Sequence, residues 1–182
     1  VCQNSSTTPI QFTTNNLMGI TTYQWTNNNS NIGLPSSGNG NIPSFIAINT
    51  TTAPITATIT VTPYFTNNGI TCSGNSETFT ITVNPLAQVN QPIDQVVCNG
   101  TNTNAIIFST LITQGITTYE WTNNTPSIGL ATSGTGDINA FTALNPTQNP
   151  ITATITVTPT FTYNGISCIR NNIQFTITVN PS

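Results

Sequence analysis

The stretch "ITATITVTP" occupies residues 55–63 and returns letter for letter at 151–159, 96 positions on (151 − 55). Its apolar residues take every second place, Ile55, Ala57, Ile59 and Val61, with Thr56, Thr58, Thr60 and Thr62 between them. A period of two sends successive side chains to opposite faces of an extended strand. Threonine is β-branched and uncharged, so it favours the strand while facing water. The spacing predicts a half-buried strand, written twice.

Working outward from that strand, the two halves of the chain align without a gap when Val1 is set against Val97. Cys2 meets Cys98, "GITTYQWTNN" (19–28) meets "GITTYEWTNN" (115–124), Leu34 meets Leu130, Cys72 meets Cys168, and "FTITVNP" appears at 79–85 and 175–181. A period of this length is too long for one supersecondary unit and suits a small domain with its own core. The reading gives two domains, 1–85 and 86–182. Residues 86–96, "LAQVNQPIDQV", have no counterpart before Val1. They are expected to hold a linker and the first strand of the second domain, with "AQVNQ" before Pro92 as an edge strand, and the first domain lacks its own.

Within one copy, further short strands are expected at "PIQF" (9–12), "TTYQWT" (21–26), "SFIAI" (44–48) and "TFTITV" (78–83). Asn68-Gly69 and Asn164-Gly165 are hairpin turns of the kind that needs two residues at positive φ. No window carries a helical period. The fold class is all-β, two tandem antiparallel β-sandwich domains. Pairing throughout the hairpin would give strands of about 13 residues, roughly 40 Å long. Its tip is expected at the pole where the domain begins, pinned there by a bridge, so that the domains form a stiff rod.

Four cysteines allow three pairings. Cys2 with Cys72, and Cys98 with Cys168, is the pairing that treats both repeats alike and keeps each domain self-contained. Each bridge would add roughly 4 kcal/mol in the chain-entropy account and would imply an oxidising, extracytoplasmic setting. Zinc is the competing reading, but the chain has no CxxC and no histidine.

Charged residues make up 3% of the chain, namely Glu77, Asp94, Glu120, Asp137 and Arg170, where about 25% is usual. Without lysine, and with one arginine, there is no phosphate-binding patch and no nucleic-acid partner. No apolar run approaches the roughly 20 residues of a spanning helix, so no membrane insertion is expected. Without histidine the usual nucleophile systems are missing. The carboxylates do not repeat between the copies: Glu120 stands against Gln24 and Asp137 against Asn41. No enzyme activity, catalytic residue, cofactor or metal site is expected; calcium at Asp94 would need further carboxylates. Trp25 and Trp121 read as core residues ahead of sugar-stacking platforms. The rows Thr56, Thr58, Thr60, Thr62 and Thr78, Thr80, Thr82 resemble ice-binding surfaces, against which stands the twist of a sheet.

"VVCNGTNT" (96–103), "TTYEWTNNTPSIGL" (117–130), "ATITVTP" (153–159) and "FTITVNP" (175–181) together resemble the PKD-like, immunoglobulin-like repeats of giant surface adhesins of Bacteroidota, including gliding-motility adhesins of the SprB type. The resemblance covers both repeats. It implies export by the type IX pathway, an extracellular or cell-surface location, and a structural or adhesive role as a stiff stalk in adhesion or gliding motility. The implied partners are neighbouring repeats of the same long chain, then surface polysaccharide or other fibre chains. The alternatives are a pair of carbohydrate-binding modules and, less favoured, an ice-binding surface.

Overall fold

A computed structural model describes all residues, Val1–Ser182, and is nearly all β. The chain divides into two compact units, Val1–Pro85 and Leu86–Ser182. The first holds strands β1 (Ile20–Asn27), β2 (Ser37–Asn39), β3 (Ile55–Asn67), β4 (Ile70–Ser73) and β5 (Glu77–Val83). The second holds β6 (Gln95–Cys98), β7 (Ile116–Asn123), β8 (Ser133–Thr135), β9 (Ile151–Tyr163), β10 (Ile166–Ile169) and β11 (Ile173–Asn180). A single turn of 3-10 helix follows β1 at Ser30–Ile32 and β7 at Pro126–Ile128.

The duplicated strand is the centre of each sheet. β3 pairs antiparallel with β1 along one edge and with β4 and β5 along the other; β9 does the same with β7, β10 and β11. Its alternation places Ala57, Ile59 and Val61, and again Ala153, Ile155 and Val157, in the core. Trp25 lies across from Val61 and Trp121 across from Val157. Their indoles are 5% and 7% exposed and lie over Gly38 and Gly134, where a Cβ would meet the ring at 2.2 and 2.3 Å. Only glycine leaves that space.

The hairpins turn as the Asn-Gly pairs require: φ is 48° and 79° at Asn68 and Gly69, 48° and 73° at Asn164 and Gly165. Positive φ at both central residues matches the twist of the flanking strands. β3 has the expected 13 residues, but its partner is broken in two. Tyr64 faces Ser73 while Val61 faces Glu77, so three steps on β3 oppose four on its neighbour. That extra residue is a β-bulge, closed by the Gly74 N–H donating to the Pro63 carbonyl. The second repeat has the same offset, Thr160 to Ile169 against Val157 to Ile173.

Each unit holds one sheet, and outside it the chain departs from the sequence reading. "PIQF" and "SFIAI" form no continuous strands; they meet the chain at isolated bridges, Ile10 to Ile42 and Ser6 to Ile46. The first strand of the second unit is not "AQVNQ" but Gln95–Cys98, beyond Pro92, and it runs parallel to β11. Alternation reports which face a residue takes. It does not report the direction of a neighbour, and an X-Pro step displaces pairing to the far side of the proline.

Candidate functional site

Because no catalytic constellation is expected, the residues to place are the cysteines, the carboxylates, the tryptophans and the neutral polar rows. Cys2 and Cys168 are disulfide-bonded, while Cys72 and Cys98 carry free, exposed thiols. The expected bridges within each repeat, Cys2 to Cys72 and Cys98 to Cys168, are therefore not formed, and β3 and β9 give the reason. Cys2 bridges Asn84, just past Val83, which faces Ile55 at the start of β3. Cys72 faces Phe65, ten residues along the same strand. At about 3.3 Å per residue the two lie roughly 30 Å apart, where a disulfide tolerates about 7 Å between Cα atoms. In the second unit Cys98 faces Asn180, beyond Val179 opposite Ile151, while Cys168 faces Phe161. β6 runs away from the hairpin tip, so Cys98 cannot pin it. Identical offsets in the sequence showed that the cysteines are equivalent, not that they are near.

Two of the four carboxylates serve the backbone. Asp137 Oδ1 accepts from the Phe108 N–H at 2.8 Å, and its counterpart Asn41 does the same for Phe12, also at 2.8 Å. An amide oxygen replaces a carboxylate oxygen in one role, which is why the pair differs between copies without consequence for the fold. Burial, and then the charge of Asp137, raise the pKa of Tyr119, whose ring packs against Phe108 at 5.4 Å. Asp94 Oδ1 accepts from Thr176 N–H and caps the open side of β11. Glu77 and Glu120 stand in strands, opposite Val61 and Thr135. No group of three or more Cys, Asp or Glu residues lies close enough to hold a metal ion. No helix is long and apolar enough to cross a membrane.

The "W-T-N-N" stretch has a structural use. The Asn27 side chain, buried at the end of β1, donates to the Leu34 carbonyl at 2.9 Å and accepts from Asn29 N–H at 2.9 Å. Asn123 repeats both contacts with Leu130 and Thr125. The next residue, Asn28 or Asn124, accepts from the backbone of Thr58 or Thr154 on the central strand. Asn49 is fully buried; it donates to Ala53 and Val83 carbonyls and accepts from Thr51, and Asn145 does the same with Asn149, Val179 and Thr147. The sequence reading did not single out Asn49 and Asn145; the signal was their identical place in "IN" and "LN" before each central strand.

The outward threonines pair with one another across the strands: Thr56 with Thr82 at 2.8 Å, Thr152 with Thr178 at 2.9 Å, Thr66 with Thr71 at 2.8 Å. Such hydroxyl pairs join neighbouring strands on the solvent face. Trp25 and Trp121, buried as described, present no stacking surface to a sugar. Neither a protein-family model nor a curated protein matches the chain.

Proposed function

We propose that the chain is a repeat segment of an extracellular surface adhesin or fibre, two immunoglobulin-like sandwich domains in tandem that carry tension as a stiff stalk. The observation that supports this is the parallel pairing of the first and last strands. In the second unit β6 lies beside β11 in register from Gln95 opposite Ile177 to Cys98 opposite Asn180. In the first, Cys2 bridges Asn84 in parallel, with Gln3 N–H donating to the Asn84 carbonyl and Asn84 N–H to the Val1 carbonyl. The leading end of one strand and the trailing end of its parallel neighbour point to opposite poles. Tension along the chain therefore shears all the hydrogen bonds of the pair at once. An antiparallel pair would open one bond at a time.

The neutral stitching supports the same role, because it ties strand ends to the sheet without building a reactive or ligand-shaped site. The disulfide-bonded state of Cys2 and Cys168 needs an oxidising environment, which agrees with an extracellular setting.

Force spectroscopy on the fragment with its disulfide reduced by dithiothreitol, so that both units lie in the path of the force, held at its two termini, tests the reading. Two high-force unfolding events are expected, one per unit. Asn99→Pro removes the N–H that the Asn180 carbonyl accepts and should lower one event alone. A single low-force event, or no response to Asn99→Pro, would sink the load-bearing role. Small-angle scattering tests stiffness separately: a freely hinged ensemble would overturn the stiff stalk and leave the clamp.

A further inference from the structure

The four cysteines are of two kinds, set by their place in the fold. Cys2 and Cys98 are one period apart and each lies beside the end of the last strand, next to Asn84 and Asn180. Cys72 and Cys168 are also one period apart and each lies on the short strand that follows the Asn-Gly turn. One cysteine of each kind is disulfide-bonded and one of each kind is free. The two free thiols are both exposed. Neither free thiol has a partner in reach inside its own repeat, since the 13-residue central strand holds the two kinds at opposite ends.

We propose that Cys98 and Cys72 are the two open halves of a head-to-tail linkage, the Sγ of Cys98 in one copy bonding the Sγ of Cys72 in a second copy of this chain. The second observation that makes these more than exposed thiols is the state of their counterparts: Cys2, equivalent to Cys98, and Cys168, equivalent to Cys72, are each in a disulfide. The chemistry that occupies these two positions in the other repeat is thus a cystine sulfur. The linkage forms by exchange with a small disulfide such as oxidised glutathione. Two protein S–H bonds break, one S–S bond forms, and the two electrons and two protons leave in two molecules of the reduced thiol. Because the joined positions differ, the contact is head-to-tail, and each copy added leaves one thiol of each kind for the next. This goes beyond the load-bearing role and stands on cysteine geometry alone.

The test is the fragment in a glutathione redox buffer, followed by non-reducing electrophoresis. A ladder in steps of 19.3 kDa that extends past the dimer is expected, and it should collapse with dithiothreitol. Cys72→Ser and Cys98→Ser should each stop at the dimer or below, and an equimolar mixture of the two variants should yield a dimer above either alone. Peptides must come from pepsin, because Arg170 is the sole site for trypsin; they should join Cys72 to Cys98. Circular dichroism melts matching the parent would show that the variants fold. Dimers alone in the parent, linked Cys72 to Cys72 or Cys98 to Cys98, would overturn the proposal. So would glutathione adducts with no bond between chains. The force curves are read independently, so either idea can fail without the other.

Discussion

The two repeats carry nearly the same residues and bury them differently. Phe175 and Ile177 on β11 are 2% and 0% exposed, whereas their counterparts Phe79 and Ile81 on β5 are only partly buried. Phe108 is buried where Phe12 is partly open. In the first unit, Phe12, Phe65 and Phe79 line an open cleft of about 420 Å³ with Tyr23 and Pro63. What separates the two is the stretch Leu86–Asp94 ahead of β6. Val89 packs against the second core, Asn90 N–H donates to the Ser109 carbonyl, and the Gln91 side chain donates to the Gln174 carbonyl. Identical strands therefore do not make an identical core; the segment outside the alignment completes it.

The largest effect should come from the aromatic pair. Phe175→Ala empties a closed site and should cost about 4 kcal/mol. Phe79→Ala should cost about half of that, because its ring is already partly in water. Calorimetry on the two variants gives the ratio, and equal losses would break the comparison. Next come the buried amides, where the repeats should agree. Asn145→Ala and Asn49→Ala each strand two carbonyls and a backbone N–H, at about 3 kcal/mol apiece. Urea midpoints that differ widely would show that the two networks are not the same device.

Asp94 sharpens the contrast more gently. Asp94→Ala should speed amide exchange at Thr176 until it approaches that of Thr80, its counterpart with no such cap. Unchanged protection at Thr176 would mean that the cap does not hold the edge. The smallest effect is electrostatic. The folded pKa of Tyr119 is raised, so the protonated ring favours the fold. That contribution is complete below about pH 10, the unfolded value, and is lost as pH rises through the higher folded value. Asp137→Asn should bring the Tyr119 titration, followed by ultraviolet absorbance, part of the way down, since burial is the larger cause.

The central strand, the face of each threonine, the Asn-Gly turns and the tryptophans in the core were all legible in the sequence. Each depends on local periodicity or on a φ requirement that the residue itself carries. The bulge at Gly74 was not, because one extra residue in a partner leaves no mark on the strand that it faces. The parallel direction of β6 was not, because alternation is the same read either way. The cysteine partners failed for a related reason. Equal spacing fixed which cysteines correspond, but only the length of β3 shows that correspondence within a repeat puts them at opposite ends.

Asp94 and Asp137 apart, the stitches that hold the strand ends are amide and hydroxyl groups. None of them carries a net charge, so dissolved ions have nothing in them to screen. The screening length shrinks from about 30 Å at 0.01 M to about 3 Å at 1 M, a range over which surface ion pairs come and go. Asn27, Asn49, Asn123 and Asn145 keep their contacts across it. The same chain would hold its shape in fresh water and in brine.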